Sequence, residues 1–274
     1  MTSNQPVPFS DLLCDIDARG VATLTLNRVD KHNAFDDRLI DHLLAQLHEL
    51  ANHPSVRVLL LRANGKHFSA GADLNWMRSM TEKTSDENKQ DATQLAHLMS
   101  ALDNFPHPTI AVIQGSAFGG ALGLICCCDI AIAQDDSQFC LSEVKLGLVP
   151  ATIAPYLCRA IGTRLARRYM LTAESINAKT ALHIGLVHKL ACNRRNTEQK
   201  IKQFTQYFLA NSPTALQQAK TLCQRCATQP IDSDLIEYTS QLIADIRVSE
   251  QGQEGLNAFF EKRPPSWSAQ LKKS

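Results

Sequence analysis

With 274 residues, 44% of them hydrophobic and 20% charged, the chain carries enough apolar material for one large buried core, alone or with a small appendage. Its formal net charge is +1, which supplies no global field to gather nucleic acid or an anionic membrane. Any anionic ligand must therefore be held by a local cluster.

Met1 to Ser10 is polar, without a basic flank running into an apolar stretch, and reads as no signal peptide. Leu12–Asp17 and Val21–Leu26 alternate apolar and polar residues around Arg19-Gly20, the pattern of a hairpin. Asp36 or Asp37 is placed to cap a helix carrying Ile40, Leu43, Leu44, Leu47 and Leu50 on one stripe. Val56–Leu61 is mostly apolar, as suits a strand buried on both faces, and a Gly-containing loop follows from Asn64 to Gly71. Thr84-Ser85-Asp86-Glu87 forms a capping-box sequence before a helix bearing Leu95, Leu98, Met99 and Leu102, which Pro106 and Pro108 end.

Thr109–Ile113 is a further buried strand, then come Gly115, Gly119, Gly120 and a short apolar helix, then a strand over Asp129–Ala133. The apolar run 117–128 is too short and too Gly-rich to span a bilayer. Strand, helix, strand in this order argues for stacked β-α-β crossovers, and after about Ile153 the pattern is nearly all helical. The expectation is an α/β core over residues 1–195 and a helical region over 196–274. Nine cysteines, three of them adjacent at Cys126, Cys127 and Cys128 in an apolar run, read as small hydrophobes in a reducing cytosol. Cys223 and Cys226 form a lone C-x-x-C without a second pair at zinc-ligand spacing, and nothing converges in sequence on His183 and His188.

Two strand-to-helix junctions are candidates for chemistry: His67-Phe68-Ser69-Ala70-Gly71-Ala72-Asp73-Leu74, and Gln114-Gly115-Ser116-Ala117-Phe118-Gly119-Gly120-Ala121-Leu122-Gly123. Small residues there let backbone N–H groups approach a ligand, and two such groups converging on one point make an oxyanion hole. Either loop alone is better explained by tight helix–strand packing. His67 replaces the first Gly of a G-x-S-x-G elbow, and the second loop lacks G-x-G-x-x-G spacing. Glu143 stands among apolar neighbours, where burial would raise its pKa towards use as a proton carrier; the alternative is a surface carboxylate paired with Lys145.

Taken in order, Arg28-Val29-Asp30-Lys31-His32-Asn33-Ala34-Phe35, the loops 68–74 and 114–120, Cys128-Asp129-Ile130-Ala131, and residues 139–150 and 254–265 resemble the crotonase superfamily of enoyl-CoA hydratases and isomerases over nearly the whole chain. Ala70-Gly71-Ala72-Asp73-Leu74-Asn75-Trp76-Met77 and Leu141-Ser142-Glu143-Val144-Lys145-Leu146-Gly147 look most like the bacterial methylglutaconyl-CoA hydratases of leucine breakdown.

The resemblance implies an α/β fold of repeated β-β-α turns with a C-terminal helical region that packs between subunits of a homotrimer or homohexamer. It implies a cytoplasmic enzyme acting on an acyl-CoA thioester, with no cofactor beyond the CoA of the substrate itself. The thioester oxygen would sit between the N–H groups of Ala72 and Gly120, with Glu143 moving protons. Lys31, Ala70, Asp73 and Lys262 are implied as CoA contacts. Gly123 stands where family hydratases typically carry a second glutamate, which leaves a single-glutamate isomerase or a non-catalytic acyl-CoA-binding protein as alternatives. The space at Gly123 is expected to suit a dicarboxylic acyl group, so that Gly123→Glu would depress methylglutaconyl-CoA hydration and spare crotonyl-CoA. An animal relative of this hydratase type binds RNA; here the helix beginning near Asp36 carries Asp37, Asp41 and Glu49 against Arg38 and no Lys, a poor basic stripe for nucleic acid.

Overall fold

The structure, a computed structural model, describes residues 11–268; the reading of Met1 to Ser10 falls outside them. Strands β1 (Leu12–Ile16) and β2 (Val21–Leu26) form the expected antiparallel hairpin. Gly20 turns it at φ +84°, where an added β-carbon would lie 2.1 Å from the Ser55 carbonyl oxygen. Asp36 caps α1 (Asp37–Ala51), accepting from the Leu39 N–H, and the stripe from Leu39 to Leu50 is buried.

Strand β3 (Val58–Ala63) starts two residues later than its apolar run, because Val56 is held in a turn by the His53 carbonyl. It leads to α2 (Leu74–Met80) and α3 (Ser85–Asp103), the latter opened by the Thr84–Glu87 capping box. Helix α2 opens where the first strand-to-helix junction ends and is short, seven residues capped by Asp73. Next come β4 (Thr109–Ile113), β5 (Ser116–Phe118), α4 (Gly120–Cys127), β6 (Ile130–Gln134) and β7 (Gln138–Cys140). The remainder comprises α5 (Ala154–Ile161), α6 (Thr163–Thr172), β8 (Ile176–Asn177), α7 (Ala178–His183), β9 (Lys189–Ala191), α8 (Arg194–Ala210), α9 (Pro213–Thr228), α10 (Ser233–Val248) and α11 (Glu250–Phe260).

A six-stranded sheet runs β1-β2-β3-β4-β6-β9, parallel from β2 onward, and a three-stranded sheet runs β5-β7-β8. The period of two along a strand assigns the faces. Leu59, Leu61, Ala111, Ile113, Ala131 and Ala133 join the main core with α1, α3, α4 and α5. Val58, Leu60, Ile110, Val112 and Ile132 face the other way, onto Ile201 and Leu209 of α8.

That second cluster ties α8 to the sheet. A boundary between 195 and 196 falls just inside α8, which covers the sheet and belongs with the α/β core, and β9 adds a strand to the same sheet. The helical region proper begins at α9. The three adjacent cysteines end α4, where burial pushes the Cys126 and Cys128 thiols up to about 12, the state of packing groups rather than nucleophiles.

Candidate active site

The loop after β3 and strand β5 run side by side. Phe68 N donates to Gln114 O (2.9 Å), Ser69 N to Ser116 O (3.2 Å) and Phe118 N to Ser69 O (3.0 Å), so Ser69 sits opposite Ala117. The imidazole of His67 adds a stitch, its Nδ1 accepting from the Ser116 N–H at 3.1 Å. Three residues beyond that Ser69–Ala117 pair on either side come Ala72 and Gly120.

Ala72 is set by a bridge to Phe35: Phe35 N donates to Gly71 O, and Asp73 N to Phe35 O, both at 2.7 Å. These bonds use the residues flanking Ala72 and turn its own N–H away from Phe35. Gly120 is the first residue of α4, so its N–H is one of the unsatisfied donors of a helix N-terminus. Among the described residues neither amide meets an acceptor. A β-carbon on Gly120 would meet the Phe35 ring at 3.8 Å, so the same aromatic residue lies against both donor segments.

Glu143 opens the 3-10 turn Glu143–Leu146 directly after β7, and Gly119 N donates to Cys140 O (3.0 Å) to tie that strand to the glycine loop. Its Oε1 lies 3.2 Å from where a β-carbon on Gly119 would sit; Gly119 itself is at φ +54°, so both the space and the backbone demand glycine there. Its Oε2 is buried and has no hydrogen-bond partner among the described residues. Burial pushes the carboxyl up from its ordinary value. No ion pair joins it to Lys145, which is exposed. The arrangement is two free N–H donors beside a carboxyl biased towards holding a proton, which suits polarising a carbonyl while moving a proton next to it.

Gly123 does not border open space. A β-carbon there would lie 2.3 Å from Ile153 Cγ2, 2.9 Å from Ile153 Cβ and 2.9 Å from Met99 Sδ. Ile153 and Met99 are themselves buried, so the wall beside α4 is closed by packing, contrary to the expected room for an acyl group. Asp73, implied as a CoA contact, is tied into the protein. It is 6% exposed; its Oδ1 caps α2 by accepting from the N–H groups of Asn75 (2.8 Å) and Trp76 (3.4 Å), and its Oδ2 is 3.3 Å from the Arg28 guanidinium. Burial opposes ionisation, but those N–H groups, Arg28 and Lys31 together hold its carboxyl below the usual range. The side chain is thus committed to holding the loop in place.

Lys31 is exposed at the end of the 3-10 turn Val29–Lys31, and exposed Ala70 is fixed by its N–H donating to His32 O at 2.9 Å. These two share one rim of the site. Lys262 is exposed just beyond α11 at φ +54°, and no hydrogen bond or ion pair among the described residues joins that segment to the rim. Arg28, Phe35 and Gly119 lie in segments that carry the resemblance and Ile153 lies outside them; the sequence alone gives none of the four a role in the site. Gly119 had a visible signal in the Gly-Gly pair; the others touch the site only through residues remote in sequence.

Residues 17–270 match the family model described as enoyl-CoA hydratase/isomerase. The chain belongs to the enoyl-CoA hydratase/isomerase family. An enoyl-CoA hydratase from Shewanella pealeana is 51% identical and superposes with a TM-score of 0.91 over 95% of this chain and 97% of its own. Among curated relatives, the 2,3-dehydroadipyl-CoA hydratase of Escherichia coli is 32% identical over 248 residues, 90% of this chain and 94% of that protein. The enoyl-CoA isomerase/hydratase fer4 of Mycosarcoma maydis is 33% identical over 258 residues, 90% and 92% respectively. Family membership makes the chain an enzyme of the enoyl-CoA hydratase/isomerase type acting on acyl-CoA thioesters, on a crotonase fold with a helical C-terminal region.

Proposed function

We propose that the enzyme hydrates an α,β-unsaturated acyl-CoA, 3-methylglutaconyl-CoA of leucine breakdown being the substrate of choice, with Ala72 and Gly120 as oxyanion donors and Glu143 as the proton carrier. The observation that carries this reading is the buried, unpartnered Oε2 of Glu143 beside the Gly119–Gly120 turn. The two amides draw charge onto the thioester oxygen and stabilise an enolate. Glu143 takes a proton from water as its oxygen bonds to the β-carbon, then returns that proton to the α-carbon, so one carboxyl closes the cycle. The methylglutaconyl assignment draws on the resemblance of residues 70–77 and 141–147, and on the Escherichia coli relative, whose name also denotes a dicarboxylic acyl group.

The closed wall at Gly123 favours a second reading. With no second carboxylate there, the same shuttle fits an isomerase, in which Glu143 removes a proton from the α-carbon of a 3-enoyl thioester and delivers it to the γ-carbon. Lys31, the Ala70 backbone and Lys262 are proposed to hold CoA, with Lys262 supplied by an adjacent subunit of a cytoplasmic homotrimer or homohexamer. Ile236, Ile243, Val248, Phe259 and Phe260 are exposed along α10 and α11, as suits helices covered by another copy. The deciding experiment offers methylglutaconyl-CoA, crotonyl-CoA and a 3-enoyl-CoA and follows product mass. Gain of one water identifies a hydratase; a new isomer of unchanged mass identifies an isomerase. Wild-type preference for crotonyl-CoA removes the methylglutaconyl assignment.

A further inference from the structure

We propose that Arg28 is the positioning residue of the oxyanion hole, an inference that rests on the functional reading above. Arg28 is 8% exposed, and a buried cation persists only where its donors are satisfied. Its fork is nearly saturated: Nη1 donates to Ala34 O at 2.7 Å, Nη2 lies 2.9 Å from Asp36 Oδ2 and 3.3 Å from Asp73 Oδ2, and Nε lies 3.6 Å from Asp11 Oδ2.

The partners are informative because of what they flank. Ala34 and Asp36 stand on either side of Phe35, and Asp73 directly follows Ala72. Phe35 and Ala72 are the two residues joined in the bridge that aims the Ala72 N–H. The guanidinium therefore grips both sides of that bridge at once. The second oxygen of each aspartate is spent on a helix cap: Asp36 Oδ1 accepts from Leu39 N at 2.9 Å, and Asp73 Oδ1 from Asn75 N at 2.8 Å. One cation thus sets α1 against α2, with the donor amide between them. A planar fork holds this geometry and an ammonium does not.

Arg28→Lys keeps the charge and loses the fork, and Asp73→Asn keeps a good N-cap while removing one arm of the grip. Both are compared with wild type in kcat and KM for the best enoyl-CoA substrate. Each is also titrated with a conjugated 2,4-dienoyl-CoA, whose absorption band moves to longer wavelength when its carbonyl is polarised. Positioning predicts KM and probe affinity within about twofold of wild type, kcat lower by about 10- to 100-fold, as suits a misplacement of about 1 Å, and a smaller band shift. A purely structural role lowers the melting temperature but leaves the band of the folded, probe-bound protein unchanged. The proposal is overturned if either folded variant keeps the wild-type band and kcat; Asp73→Asn decides it should Arg28→Lys fail to fold. If wild type neither shifts the probe nor turns over any enoyl-CoA, the functional reading fails and takes this proposal with it.

Discussion

Adding one methyl group at Gly123 tests whether the wall beside the site is closed by packing. In Gly123→Ala the new β-carbon would lie 2.3 Å from Ile153 Cγ2, about 1.2–1.7 Å inside the ordinary separation of two carbons. Ile153 is β-branched and buried, and its own Cβ is only 2.9 Å away, so it cannot swing clear as the end of a flexible chain would. Overpacking of this kind costs about 1–3 kcal/mol, against a gain of about 1 kcal/mol for Ala over Gly inside a helix. With both Ile153 contacts under 3.0 Å the cost falls in the upper part of that range, about 2–3 kcal/mol, so net destabilisation of about 1–2 kcal/mol follows, or a melting temperature lower by about 2–4 °C per kcal/mol. Ile153→Ala alone should cost about 2–5 kcal/mol through the cavity it leaves. In the double variant that cavity receives the new methyl group, so the two losses should fall short of additivity by about 1 kcal/mol or more. Urea titration followed by the fluorescence of Trp76 and Trp267 measures all four corners of the cycle. A Gly123→Ala protein as stable as wild type, or a cycle additive within about 0.5 kcal/mol, refutes the packing argument. By the same reasoning Gly123→Glu loses activity on crotonyl-CoA and methylglutaconyl-CoA alike, because its carboxylate has nowhere to stand.

Gly120→Pro removes one donor at the first helical position, where proline is tolerated; kcat should fall by about 10²–10³-fold with circular dichroism unchanged. Glu143→Gln should lower kcat by about 10²–10⁴-fold while acyl-CoA binding, measured calorimetrically, survives. The same variant tests linkage. Because the folded pKa of Glu143 is raised by burial, the native state holds the proton more tightly, and its ionisation costs stability as pH rises from the usual glutamate range, about 4.3, through the raised value. Glu143→Gln should therefore melt higher than wild type at neutral pH and lose that advantage below about pH 4; an advantage that does not change with pH would show that the carboxylate is not destabilised by burial.

The local code of this chain is readable wherever a motif is completed by residues close in sequence. The hairpin turn at Gly20, the Asp36 cap and the Thr84–Glu87 box each lie within a few residues of their partners and form as their sequences predict. The apolar runs of β3 and β4 mark strands buried on both faces, and the small-residue segments around Ala72 and Gly120, with Glu143, mark the candidate site by their resemblance to a family. Strands of two or three residues, such as β5, β8 and β9, are too short to display a period of two; their pairing is supplied by the sheets they join. Helix α8 has an amphipathic sequence that does not say which surface it covers, and only folding brings Ile201 and Leu209 onto Val58 and Ile110. Arg28 finds Asp11, Asp36 and Asp73, and Gly123 meets Ile153 and Met99, through chain reversals that no spacing encodes. Local hydrogen bonds and alternation determine which elements exist. Which charges pair, which glycine is packed shut and which carboxyl is left buried without a partner depend on contacts between distant segments, and these were decided by the tertiary structure.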